Sequence, residues 1–359
     1  MNCLCCGKPL KRASESGWHK NCIKRFFGTT VLPEIDISAS NLEIIAGETV
    51  RKGLTVPGVQ KKLSLHLLSD EKHPRLTLVN YPTGYILKPQ VDDYRSMPES
   101  EHLVMSMADI CGIATVPHAL IQNDGTVAYI TKRVDRIIQG DQVTRLAMED
   151  FCQLDLRLAQ DKYHGSYERC SKVISRYSSR PQMDQTELFL RLIFCFMTGN
   201  SDMHLKNFSL IETVEGSGEY ILSPAYDLLP VNLIMPQDTE EFALPMNGKK
   251  TNLRKKDFLI FAESCGIPRE AAQKMITFLL SKKAILLSLC AESLLPEDMK
   301  VQFAELIENR CKRLADRVSV LKKRHPSHFR LECLVFSAQR EGFEPPCGCP
   351  QTDFESAPL

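Results

Sequence analysis

Leu188-Phe189-Leu190-Arg191-Leu192-Ile193-Phe194-Cys195-Phe196-Met197 is apolar almost all round. A helix with that pattern has no face to offer water, so it predicts a central buried element. Gly199 is expected to stop it. Between residues 50 and 136 the periodicity changes to short strands. Leu63, Leu65 and Leu67 alternate with polar neighbours, and Leu76-Thr77-Leu78-Val79 and Tyr85-Ile86-Leu87 follow. A helix is expected from about Glu99 to Cys111, with Glu101 on its first turn. The next strand, Ala128 to Arg136, ends in a charged turn that would join two lobes. After Asp227 the pattern is helical. Leu306, Leu314, Val318 and Leu321 share one face of a long terminal helix and read as core. Lys322, Lys323 and Arg324 suit its C-terminal end, and His325-Pro326 breaks it. From about Phe329 the periodicity is lost, and Gly342 to Pro350 predicts a disordered or loosely attached segment. Phe343-Glu344-Pro345 can be encoded by the T-arm of a tRNA gene. The expectation is that the reading frame runs into such a gene, so that Cys347 and Cys349 are no metal site.

Charge and cysteine content narrow the picture. The 359 residues carry 45 Lys+Arg and 44 Asp+Glu, a net +1, which gives no electrostatic case for direct nucleic-acid binding. No run approaches the ~18–20 apolar residues of a membrane span. Met1-Asn2-Cys3-Leu4-Cys5-Cys6 lacks the basic and apolar regions of a signal peptide, so a cytoplasmic chain is expected. Of the 14 cysteines, Cys111, Cys195, Cys265 and Cys290 fall in apolar helical stretches, as single thiols of a reducing compartment do. The N-terminus differs. Cys3-x2-Cys6 is followed after a short loop by His19-x2-Cys22, and two close pairs of soft ligands can close a tetrahedral, structural Zn²⁺ site. Gly7 allows the tight turn after the first pair. Cys5 is surplus to four ligands, which leaves the choice between Cys5 and Cys6 open, and the alternative is a flexible cysteine-bearing leader.

The polar loop Gly199-Asn200-Ser201-Asp202-Met203-His204-Leu205-Lys206-Asn207 carries the chemistry. It follows the buried helix directly, and polar loops fixed to rigid elements are where catalysis usually sits. Asp202 and Asn207 lie five residues apart with Lys206 between them, and Ser223-Pro224-Ala225-Tyr226-Asp227 adds a carboxylate some twenty residues later. In phosphoryl transfer one Asp orients the attacking hydroxyl while an Asn and a second Asp hold Mg²⁺ on ATP. The plainer alternative is a loop whose Asp202 and Asn207 cap turns. Upstream, Thr55-Val56-Pro57-Gly58-Val59-Gln60-Lys61-Lys62 has backbone donors to close over a phosphate chain, though one hairpin glycine is ordinary. Lys88 ends a strand, either as a phosphate ligand or as a solvated edge lysine. Glu101 would pair with it, or would simply favour a helix N-terminus. Loop, strand lysine, helix, hinge strand, then catalytic loop is the order found in kinases.

With these residues in place the chain resembles the HipA family of bacterial Ser/Thr kinases, the toxins of HipBA-type toxin–antitoxin modules. The resemblance runs over about residues 50–320. It is carried by Thr55 to Lys62, Ile86-Leu87-Lys88-Pro89, Ser100-Glu101-His102, Lys132-Arg133-Val134-Asp135-Arg136, Glu149-Asp150-Phe151-Cys152-Gln153, Lys162-Tyr163, Gly199 to Asn207 and Ala225-Tyr226-Asp227. It implies an α+β, two-lobed protein-kinase-like fold. The boundaries expected are a zinc knuckle over 1–30, a mixed α/β ATP-binding N-lobe over 31–136, a mostly helical C-lobe over 137–325 and a tail over 326–359.

The same resemblance implies site roles. Lys88 would hold ATP phosphates, Lys132 and Val134 would offer backbone groups to adenine, and Gly58, Gln60, Lys62 and Asp135 would also contact nucleotide. Asp202 would be the catalytic aspartate, with His204 and Lys206 lining the phosphate end and Asn207 and Asp227 binding Mg²⁺. Thr55 aligns with a serine that such kinases autophosphorylate. The expected partners are a protein substrate, with an aminoacyl-tRNA synthetase suggested, and a HipB-like DNA-binding antitoxin or a small HipS-like protein. Two departures stand out: only a knuckle precedes the loop, as in the short HipT-type form, and Pro57 replaces a second serine. The short form puts direct dimerisation with a DNA-binding antitoxin in doubt. The alternatives are a catalytically silent, antitoxin-binding module and a small-molecule kinase on the same scaffold.

Overall fold

Leu63 and Leu65 point into the interior from the first strand of an antiparallel sheet, as their alternation predicts. The computed structural model describes residues 2–11, 16–35, 62–68, 73–77, 84–123, 125–139 and 142–315. Thr55, Gly58 and Gln60 lie outside the described residues, as do Leu78, Val79, Val318, Leu321 and the tail.

Helix α1 (Lys20–Phe27) precedes strands β1 (Leu63–Leu68), β2 (Arg75–Thr77) and β3 (Tyr85–Pro89), then helix α2 (Met97–Ile110), β4 (His118–Asn123) and β5 (Thr126–Lys132). These strands form one five-stranded sheet in the order β2-β1-β3-β5-β4, antiparallel throughout. Helix α2 packs on β4 and β5. The knuckle joins this sheet: Leu120 of β4 donates its N–H to the Leu4 carbonyl at 2.8 Å. Trp18, Phe26 and Phe27 meet one another in edge-on and tilted ring contacts, and Tyr85 of β3 packs against both phenylalanines.

A two-stranded ribbon, β6 (Arg136–Gln139) with β7 (Gln142–Arg145), leads into β8 (Met148–Asp150) and the short helix α3 (Phe151–Leu154). The helical half then follows with α4 (Tyr167–Tyr177) and α5 (Pro181–Thr198), and β9 (Ser209–Glu212) and β10 (Tyr220–Leu222) complete a sheet with β8. Helices α6 (Val231–Ile234), α7 (Lys255–Ser264), α8 (Arg269–Ser281), α9 (Lys283–Glu292) and α10 (Glu297–Leu314) close the described chain. Among the described residues no helix is long and apolar enough to cross a membrane.

Helix α5 is the predicted central element. Leu188, Phe189, Leu192 and the run Ile193 to Met197 are fully buried, with α4 and α10 packed against them. Its buried polar residues have defined partners. Asp184 accepts the Leu222 N–H, and Arg191 donates to the Ser223 carbonyl at 2.7 Å, so the helix pins the segment that leads to Asp227. The terminal helix is shorter than its periodicity suggested. It ends at Leu314 because Ala315 is extended, while Arg313 is tied sideways to Glu241 and the Leu253 carbonyl. Cys111, Cys195, Cys265 and Cys290 are buried free thiols, as expected.

Gly199 ends α5 at φ 68°, where a Cβ would lie 2.7 Å from Leu306 Cδ2. Gly199→Ala therefore combines left-handed strain with a clash and is expected to destabilise the fold by about 1–3 kcal/mol. Urea unfolding checks this, and an unchanged midpoint would contradict it.

Candidate active site

Lys88 is the centre of the site. Strand β3 carries it into the interior, where its ammonium bonds Glu101 Oε1 at 2.5 Å and Asp227 Oδ1. Its side chain is only 3 % exposed. The expected Lys88–Glu101 pair is thus present, and the lysine is no solvated edge residue. A second cation, Lys62, donates to Asp227 Oδ2 at 2.8 Å. Burial works against a charged Lys88, but the Asp227 and Glu101 carboxylates outweigh it and raise its pKa. Burial also disfavours ionised Asp227, yet Lys62 and Lys88 hold its carboxyl well below the usual range. Glu101 differs: burial, with the Asp227 charge adding, pushes it up to about 7 against the pull of Lys88.

Asp227 occupies φ 56°, left-handed space that a non-glycine residue enters at a cost. Its neighbours hold it there. Ala225 bridges Thr115 in parallel, with bonds to Ala114 and Val116 on the sheet side. The Tyr226 hydroxyl meets Ser209 Oγ at 2.5 Å and donates to the Lys206 carbonyl at 3.0 Å.

The loop after Gly199 is equally constrained. The Asp202 N–H donates to Asn200 Oδ1, and Asn207 Nδ2 donates to the Asp202 carbonyl at 2.8 Å. The bond leaves the amide oxygen of Asn207 as the side chain's remaining polar atom. Leu205 N–H bonds the Lys162 carbonyl, and the Tyr167 hydroxyl bonds that of Met203. Lys206 is paired with Asp150 Oδ2 at 2.5 Å, so its charge is already shared. His204 is buried, which lowers its pKa, and its Nδ1 has no hydrogen-bond partner.

A cleft of about 540 Å³ brings together Lys62, Lys88, Lys132, Val134, Asp135, Asp202, His204, Lys206, Asn207 and Asp227. Ile86, Val116, Met148 and Leu229 give it apolar walls, suited to a flat ring with a charged tail. The Lys132 N–H is taken by the Pro117 carbonyl at 2.9 Å. The Asp135 carboxylate is held by Arg133 and Arg136. Asp150, which pairs with Lys206, and Tyr163, which meets Asp202, had no role assigned from sequence. For Asp150 there was a signal, since Asp150-x2-Gln153 is a capping box and the structure forms it. The contact of Tyr163 with Asp202, described below, has no local signature.

The knuckle lies apart from the cleft. One ligand atom each from Cys3, Cys6, His19 and Cys22 lies within 4.8 Å of the others. His19 Nε2 is 3.1 Å from the Pro9 carbonyl, which fixes its proton there and leaves Nδ1 facing Cys6 Sγ at 3.4 Å. The His19 N–H meets Cys3 Sγ at 3.4 Å. Three thiols and an oriented imidazole are a donor set that fits Zn²⁺. Cys5 stands outside the cluster, its thiol pushed up to about 11 by burial and by the Cys3 charge, so the geometry favours Cys6.

Fold and cleft together define a protein-kinase-like molecule. The chain matches the HipA-like C-terminal domain family over residues 54–284 and belongs to that family. A Haemophilus influenzae protein named "Putative kinase" is 25% identical over 321 residues, covering 81% of this chain and 90% of the relative. "Putative kinase Y4mE" of Sinorhizobium fredii is 29% identical over 239 residues, 64% of this chain and 55% of its own length. Among solved structures, a chain of the Shewanella oneidensis MR-1 complex of HipA, HipB and operator DNA matches with TM-score 0.62 at 20% identity, covering 79% of this chain and 73% of that one. The Helicobacter pylori proinflammatory kinase CtkA matches with TM-score 0.50 at 15% identity, covering 72% and 91%. At these identities the two structures speak for the fold.

Two outcomes test this geometry. Lys88→Met leaves Glu101 buried without its cation and is expected to cost about 3–5 kcal/mol, while Lys88→Met with Glu101→Met recovers part of that loss. Equal unfolding midpoints for wild type and the single variant would contradict the pairing. Metal analysis is expected to find about one zinc per chain, as a four-ligand site requires, and Cys22→Ser releases it and lowers thermal stability. Protein purified with no zinc above background would contradict the site.

Proposed function

We propose that this chain is an ATP- and Mg²⁺-dependent Ser/Thr protein kinase of the HipA type. The observation that carries the reading is the convergence of Lys88, Asp202, Asn207 and Asp227 on one cleft, with Glu101 paired to Lys88 behind it. A silent binding module has no need of a buried lysine flanked by two carboxylates, an arrangement that is costly to maintain without a ligand charge to meet.

In this reading adenine enters between the apolar walls, and Lys88 and Lys62 offer positive charge to the phosphates. Asn207 and Asp227 would hold Mg²⁺, which when bound neutralises charge developing on the transferred phosphoryl group. Asp202 orients the acceptor hydroxyl and accepts its proton. The paired Lys206 and Asp150 keep the catalytic loop in register at the phosphate end. The acceptor is a protein hydroxyl, with an aminoacyl-tRNA synthetase as the class that the family suggests, and Thr55 is an autophosphorylation site. A phosphate there would add roughly −1.5 to −2 charge and strong acceptor oxygens. The partner class is a HipB-like antitoxin or a small HipS-like protein, the knuckle holds structural zinc, and the protein acts in the cytoplasm.

Incubation with ATP, Mg²⁺ and cell extract followed by phosphosite mapping tests the reading. Asp202→Asn is expected to keep the fold and lower phosphoryl transfer by ~10²–10⁴, and Asp227→Asn to weaken the Mg²⁺ dependence. Undiminished phosphorylation by both variants would overturn the assignment.

A further inference from the structure

We propose that Tyr163 is the positioning residue of Asp202, a role that rests on the kinase reading above. The Tyr163 phenol donates to Asp202 Oδ1 at 2.7 Å. Among the described residues no other hydrogen bond orients that carboxylate, because the Asn200, His204 and Asn207 contacts hold the backbone of Asp202. Burial and the neighbouring carboxylate raise the phenol pKa, so the hydroxyl keeps its proton and serves as a donor.

The tyrosine is itself fixed. Its ring meets His204 edge-on at 5.1 Å, and the Lys162 ammonium lies 4.9 Å from the ring centroid. The Lys162 carbonyl accepts the Leu205 N–H at 3.1 Å, tying this turn to the catalytic loop one residue before the tyrosine. These ties make Tyr163 part of the loop's support, although 42% of it faces solvent. A freely swinging side chain would not be held from both the ring and the backbone.

With Oδ1 engaged, Oδ2 of Asp202 is left for the acceptor. In the step itself the acceptor oxygen bonds the γ-phosphorus, the bond from that phosphorus to the bridging oxygen of ADP breaks, and the acceptor proton passes to Oδ2. Tyr163 keeps its own proton throughout. Its contribution is the rotamer of Asp202, so its loss affects the chemical step and leaves nucleotide binding alone.

The test uses the full chain with ATP and Mg²⁺, reading transfer to its own hydroxyl groups at saturating ATP, the KM for ATP and the thermal midpoint. Tyr163→Phe is expected to lower the saturated rate roughly 10- to 100-fold, the value of one hydrogen bond to a charged group, with KM and midpoint unchanged. In an Asp202→Asn background the same change is expected to cost nothing further. A wild-type or faster rate in Tyr163→Phe overturns the inference, the faster rate showing a hydroxyl that blocks the acceptor seat. An equal fractional loss in both backgrounds overturns it too, since the role is then merely structural. A wild-type chain that transfers no phosphate either to itself or to proteins of a cell extract overturns the kinase reading beneath it.

Discussion

One ammonium group organises this molecule. Lys88 sits almost out of water between Glu101 of α2 and Asp227 of the segment after β10. A buried lysine is tolerable only where opposite charge is close and well oriented. Three elements distant in sequence must therefore meet at one point: strand β3, helix α2 and the Asp227 turn. Lys62 reinforces that point from the residue just before β1. Much else reads as support for it, from the Thr115–Ala225 bridge to the Arg191 bond on Ser223.

The helical half supplies the second constraint. From Arg191 onward helix α5 has no wet face, so the core fixes its C-terminal half on all sides, and Gly199 turns the chain sharply at its end. The loop that follows inherits that rigidity and is then captured by side chains from elsewhere: Tyr226, Tyr167 and Asp150. Preorganised polar groups on a rigid support cost little further reorganisation when a ligand arrives. The left-handed Asp227 fits the same logic, with local strain held in place by neighbours on both sides.

What was legible in the sequence was local. The alternation of Leu63 and Leu65, the all-apolar run ended by Gly199 and the spacing of Asp202, Asn207 and Asp227 are short-range patterns, and the structure shows strand, buried helix and shared cleft accordingly. The Cys/His spacing likewise anticipated a cluster. Long-range partners were not legible. Lys62 meets Asp227 across 165 residues and Lys206 meets Asp150 across 56, separations that no periodicity encodes. The packing of the knuckle on Tyr85 and Leu120 was hidden for the same reason. The length of the terminal helix was overread because Leu306 and Leu314 share an apolar stripe, while the side contacts of Arg313 that accompany its end are tertiary.

The central claim is that this cleft receives a nucleotide with a divalent metal between Asn207 and Asp227. A crystal of the chain grown with a non-hydrolysable ATP analogue and Mn²⁺, read by anomalous scattering, tests it most directly. The account predicts a manganese peak coordinated by the Asn207 side-chain oxygen and the Asp227 carboxylate, with phosphate oxygens on Lys88. Nucleotide bound outside the cleft, or manganese away from both residues, would contradict it.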